Sequence, residues 1–455
     1  MAARHAKGAL VLLVVAAQAC ASAVPAPETN TPSDSAPPAG PLTWHVDVDA
    51  AFVVSETVCP ALAVGPEQRR ARDFLVSARV VDGCQEIVLD LGRAADTWQD
   101  RDSATRVAPD VVVSSPDVWL WRPMPKRSGT LTLSLPPGFN AALPFPKHGD
   151  SYDVDASTWA FASAAVFGNV SMRELPVDAA TLQVVMLPGE LQMVRSEVDR
   201  WLSAAATAVA AGNRGRFPFP KVVVVVDPVW GSGVPFGMVE RGGGPQALLL
   251  LGAQARVDDV VDDWVAVHEL SHLLMPPVGV DDAWLGEGLA SYHQNVLRAR
   301  AGLLSESEAW DQLRDGFDRG EEAAARGPLT QSLADASRHM RAEGRYLQVY
   351  WGGAAVVLLL DVGLRQCAGI AVDDVVASFR AEQLRVDVRR IPARAFVARA
   401  AAAAPGCAHL QYDVDEALTR PFPLVEPLLR DLGIVPASAT APLARLRRVI
   451  VAKAP

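Results

Sequence analysis

Positive charge is scarce in this sequence. Its 42 Lys and Arg are outnumbered by 52 Asp and Glu, a net charge of −10. That balance excludes a general nucleic-acid partner, because such proteins neutralise phosphates with a surplus of cations. The locally basic stretch from Arg380 to Arg399 reads as a solvated helix face. Long apolar runs are missing too. Gly8 to Ala19 is too short to span a bilayer as a helix, and the run from Gly352 to Leu360 stops at Asp361. Internal repeats are absent. Gly242-Gly243-Gly244 lacks the Lys-Ser/Thr of a phosphate loop, so it reads as a turn between strands.

Cysteine is sparse, at five residues, and its arrangement is informative. Arg4, His5 and Lys7 followed by the apolar run make an export signal over residues 1–23. Two cleavage sites compete. Ala21-Ser22-Ala23 suits a soluble secreted or periplasmic protein. Ala19-Cys20 suits a bacterial lipoprotein with lipid on Cys20, although Ala17 stands where Leu is usual. Lipidation of Cys20 would be the chain's sole membrane attachment. Removing Cys20 leaves an even four, and proximity pairs Cys59 with Cys84 and Cys367 with Cys407 in an oxidising compartment.

Half of the residues are hydrophobic, so the chain is globular, and its 455 residues suffice for two or three domains. Residues 24–41 are a Pro-, Ser- and Thr-rich linker without apolar periodicity. Short alternating stretches then begin, such as Trp44 to Asp49 and Thr130 to Leu135, punctuated by Pro and Gly. They predict a β-sandwich over 42–170. A mixed α/β region follows at 171–300. Glu190 to Ala211 has helical spacing, while KVVVVVD (Lys221 to Asp227) and QALLLLG (Gln246 to Gly252) read as strands, the first buried on both faces. Val257 to Leu274 reads as one helix stopped by Pro276-Pro277. Residues 301–455 are mostly helical, with a Ser305–Glu308 capping box. The fold class is multidomain α+β.

The chemistry is concentrated at His268-Glu269-Leu270-Ser271-His272. Two His at i and i+4 stand ~40° apart on one helical face, so both can grip one metal ion, normally Zn²⁺. Glu269 is placed to take a proton from a water on that metal. A catalytic zinc takes three protein ligands and a water. Glu287, fifteen positions past His272, is the candidate third ligand. Asp262, Asp263, Asp281 and Asp282 are candidates for orienting the ligating His, with surface charge the commoner role for each. His293, on another face from Glu287, reads as an ordinary packed residue.

Trp284-Leu285-Gly286-Glu287-Gly288-Leu289-Ala290 resembles the WLNEGFA segment of the aminopeptidase N family of gluzincins. Phe217 to Lys221 resembles its YPfpK strand. Gly237-Met238-Val239-Glu240 resembles GAMEN, and Tyr350-Trp351-Gly352-Gly353 resembles Y-x-K-G. The Tyr350 to Leu364 run and the Leu428 to Gly433 ending also resemble the related glycyl aminopeptidase family. The resemblance spans about residues 130–435. It implies one zinc on His268, His272 and Glu287, and Glu269 as general base. It further implies Tyr350 as oxyanion donor, with Tyr346 its rival, and substrate contacts at Gly237 and Glu240. A β-domain, a thermolysin-like catalytic domain and a helical part are implied as well. The sequence departs from the family in a ligand gap four residues shorter, in Gly352 for Lys, and in Arg241 for Asn. A cation at 241 would repel a substrate amine or pair with Glu240.

These observations lead to an exported zinc metallopeptidase acting on a peptide or protein substrate. It is aminopeptidase-like in type, with endopeptidase cleavage left open. The alternative is an inactive, envelope-anchored binding or scaffold protein on the same fold.

Overall fold

A computed structural model describes residues 40–61, 71–122, 126–156, 163–327, 331–383, 389–407 and 409–453. The export signal, Cys20 and linker residues 24–39 lie outside the described residues.

Among the described residues three sheets are stacked, with helices on the last. The first sheet runs Leu75–Val81, Cys84–Asp90, Val53–Cys59, Leu42–Val48, Gly129–Ser134, Ser151–Val154, Lys147–His148. The second runs Ala104–Ala108, Val111–Ser114, Ala165–Gly168, Asn140–Ala142. At Ser171 the chain enters the third, ordered Ser171–Val177, Ala180–Met186, Lys221–Val229, Gln246–Gly252, Phe236–Glu240. Its last member is an edge strand, antiparallel to Gln246–Gly252.

The period-2 alternation of strands explains the stacking. In the first strand, Leu42, Trp44, Val46 and Val48 point inward and the residues between them are exposed. The middle sheet must bury both faces, so its strands read VVVS and AVFG without polar alternation. Val112, Ala165 and Phe167 face the first sheet, whereas Val111, Val113 and Val166 face the third. Val222, Val224 and Val226 of KVVVVVD point to the helices, and Val223 and Val225 to the middle sheet. Gln246, fully buried, ties the layers together. Its side-chain Oε1 accepts from the Ala164 N–H, and its Nε2 donates to the Ala164 carbonyl, both at 2.8 Å.

Two helix expectations need correction. The segment expected from Glu190 forms a helix only over Arg195–Ala211, because the Glu197 carboxylate turns back to accept the Val194 N–H at 2.9 Å and fixes the start there. The single helix expected over Val257 to Leu274 is divided into Val257–Val261, Val265–Ser271 and a 3-10 turn, His272–Leu274. Asp263 makes the break. Its Oδ1 accepts from the Val265 N–H at 2.7 Å, satisfying an orphan donor of a new helix start.

The helices behind the sheet include Ala283–Arg300, Glu306–Ala325 and Tyr346–Ala368. Ser305 and Glu308 form the reciprocal capping box (3.2 and 2.8 Å). Tyr346–Ala368 is long and apolar enough to cross a bilayer, but 78% of its apolar window is buried inside the fold, which marks a core helix. Disulfides join Cys59 to Cys84 and Cys367 to Cys407.

Candidate active site

Helix Val265–Ser271 lies behind the third sheet and presents His268 and Glu269 from its last turns, with His272 at its end. Helix Ala283–Arg300 brings Glu287 opposite. The Nε2 atoms of His268 and His272 are each 3.5 Å from Glu287 Oε2. All three ligand atoms lie within 4.8 Å of one another. Tetrahedral ligands about 2.0–2.1 Å from zinc stand roughly 3.3–3.4 Å apart, so the donor set and its spacing fit that ion. Burial would raise the Glu287 pKa, but His272 and His268 more than reverse this and hold it well below the usual carboxylate range.

The orienting partner of His268 is none of the four aspartates weighed from sequence. His268 Nδ1 bonds Gln294 Oε1 at 2.8 Å in a buried contact, which leaves Nε2 for the metal position. Gln294 stands two helical turns beyond Glu287, on the same face, and that spacing is the signal that could have revealed it. Asp263 caps the helix, and Asp282 accepts the Ala393 N–H. His293 is buried against Asp373, Nε2 to Oδ1 2.9 Å.

Glu269 lies between the helix and the edge strand. Burial pushes its carboxyl up to about 7; His268 pulls it back, Glu287 adds to the rise, and a hydrogen bond from the Val239 N–H opposes it. Gly237 is required here, since a β-carbon on it would sit 2.5 Å from Glu269 Cγ. Tyr350 stacks on the His268 ring (5.7 Å between centroids, 14° between planes), whereas Tyr346 meets the Tyr350 ring edge-on at 6.3 Å. Burial first, and then the Glu287 and Glu269 carboxylates, raise the Tyr350 phenol pKa. Trp264, passed over in the sequence, meets His268 edge-on at 5.6 Å.

Glu240 ends the edge strand. Burial and then the Asp102 carboxylate push it up to about 7, opposed by the Ala164 N–H. Asp102, from a turn of the N-terminal sheets, carried no sequence signal. Arg241 does not pair with Glu240. Its Nη2 donates to the carbonyls of His272 and Met275 (3.0 Å for the latter), so it is tied to the end of the motif helix rather than to Glu240.

Fold and ligand set resemble those of gluzincin aminopeptidases. The model of the M61 glycyl aminopeptidase family matches residues 274–355, which include Glu287 and Tyr350. Solved structures with this fold include an aminopeptidase N family protein from Idiomarina loihiensis (TM-score 0.60, 13% identity, 86% of this chain and 78% of that one). Another is an M1 zinc metallopeptidase variant from Deinococcus radiodurans bound to a Tyr-Ser-Ala substrate (TM-score 0.51, 15% identity, 84% and 94%). At these identities the likeness is one of fold. No curated protein matches the sequence.

Proposed function

We propose that this chain is an exported zinc-dependent peptidase, held in the bacterial envelope through lipid on Cys20 or released as a periplasmic or secreted protein. The observation that carries the catalytic reading is the convergence of His268, His272 and Glu287 beside a half-buried Glu269. One bound Zn²⁺ would supply Lewis-acid polarisation of the scissile carbonyl and of a water. Glu269 accepts the proton of the attacking water and passes it to the leaving amine. Tyr350, protonated and stacked on His268, donates its O–H to the tetrahedral oxyanion.

An extended peptide pairs with the edge strand Phe236–Glu240, which among the described residues has one side free of sheet partners. Glu240 and Asp102 together favour a cationic group at that strand's end, which suits a substrate α-amine and so exopeptidase cleavage. Arg241 is bonded elsewhere and does not mask Glu240.

The test is zinc content by elemental mass spectrometry, together with hydrolysis of an aminoacyl-anilide and peptide library. About one zinc per chain is expected, lost in Glu287→Ala and retained in Glu269→Gln, with activity lost in both. Stoichiometric zinc with no hydrolysis by the wild type would favour the binding-protein alternative.

A further inference from the structure

A cavity of about 700 Å³ lies on the far side of the third sheet from the metal-ligand cluster. It opens between that sheet and the N-terminal sheets, and its size falls in the range of small-molecule sites. Leu133, Phe139, Phe145, Met172 and Phe219 give it an apolar wall.

Its charge runs against that of the chain. The protein carries −10 overall, yet Lys147, Lys221 and Arg241 line this cavity against one carboxylate, Asp150. Lys221 has a long, exposed pairing with Glu174 at 3.3 Å, of little strength. Lys147 stands over the Tyr152 ring, and Arg241 bonds neutral carbonyls. Among the described residues neither Lys147 nor Arg241 has a carboxylate within ion-pair distance. Arg241 is only 9% exposed. The Arg241 guanidinium is held by the end of the motif helix, so Lys147 and the weakly paired Lys221 are the cations left for an anionic ligand in the cavity to neutralise.

We propose that this cavity binds an amphipathic anion, an apolar chain or ring system ending in a carboxylate. The apolar body lies against Phe145 and Phe219, and the head group pairs with Lys147. Because Arg241 also grips the end of the motif helix, an occupant touches a residue that supports His272.

The test is displacement of fluorescent 1-anilinonaphthalene-8-sulfonate from the full chain by decanoate and by decanol. Decanoate should compete at least about tenfold better than decanol, since charge-assisted pairing is the larger contribution. Lys147→Glu, on an exposed strand, should weaken decanoate about fivefold and leave decanol unchanged. Met172→Trp should reduce binding of both by filling the cavity. Glu287→Ala, which removes a metal ligand, should bind decanoate as the wild type does. Equal competition by decanol, or indifference to Lys147→Glu and Met172→Trp, would overturn the proposal. Loss of decanoate binding in Glu287→Ala would also overturn it, by locating the carboxylate at the metal cluster.

Discussion

Gly288 and Gly353 are packed backbone against backbone. A β-carbon on Gly288 would stand 2.4 Å from the Gly353 carbonyl carbon, and one on Gly353 would stand 2.1 Å from the Trp284 oxygen. This contact lets the helix bearing Glu287 cross the helix bearing Tyr350 at minimal distance, so both side chains reach His268.

Gly288→Ala or Gly353→Ala should therefore push the two helices apart. Each should destabilise the fold by about 1–3 kcal/mol, as overpacking does. Zinc affinity should fall at the same time. Gly286→Ala is the contrast: its β-carbon meets Val278 at an ordinary 3.6 Å, so it should be neutral or slightly stabilising. Thermal unfolding and competitive chelator titration of the three variants would check this.

Gln294→Leu removes the acceptor for His268 Nδ1. The orphaned, buried imidazole should cost about 1–3 kcal/mol. Zinc affinity should drop roughly 10- to 100-fold. Gln294→Glu keeps an acceptor and should retain most of the affinity. Unchanged zinc binding in Gln294→Leu would show that the contact does not orient the ligand.

Glu56 makes the stability of the N-terminal sheets pH-dependent. Its carboxylate is buried against the Trp121 N–H (3.0 Å to each oxygen), and burial pushes its pKa from 4.5 to about 8, opposed by that hydrogen bond. The folded state thus holds a proton that the unfolded chain releases. Stability should be greatest below pH 4.5, fall as pH rises towards 8, and level off above it, a loss of at most about 5 kcal/mol. Urea unfolding at pH 5 and pH 8.5 should show the decline in wild type. Glu56→Gln should flatten it.

The Cys367–Cys407 bridge spans 40 positions and ties the end of the tyrosine helix to the buried Cys407. Cys407→Ser should cost about 4 kcal/mol on the chain-entropy estimate. Calorimetry with and without reductant would compare this loss with that of the shorter Cys59–Cys84 loop.

The His268, His272 and Glu287 cluster could be read from the sequence because its information is local. His268 and His272 are one helical turn apart, and the residues around Glu287 form a motif of their own. The unbroken KVVVVVD strand was equally readable, since burial on both faces abolishes alternation. What escaped depends on angles between distant elements. Gln294 meets His268 only because two helices cross. Gly288 could be seen as part of a motif, but the carbonyl that forbids its β-carbon lies 65 positions away. Asp102 reaches Glu240 across the stack of sheets. The helix break at Asp262 to Trp264 was missed because apolar spacing continues through it, while one carboxylate restarts the hydrogen-bond ladder.

The missing side chain at Gly237 has a mechanical consequence. The strand offered to a substrate and the group that would activate water share one wall, with no intervening atoms to absorb a displacement. On the proposed function, a peptide added to this edge would lie directly against the strand that Glu269 touches, so seating the substrate and aligning the base would be a single event.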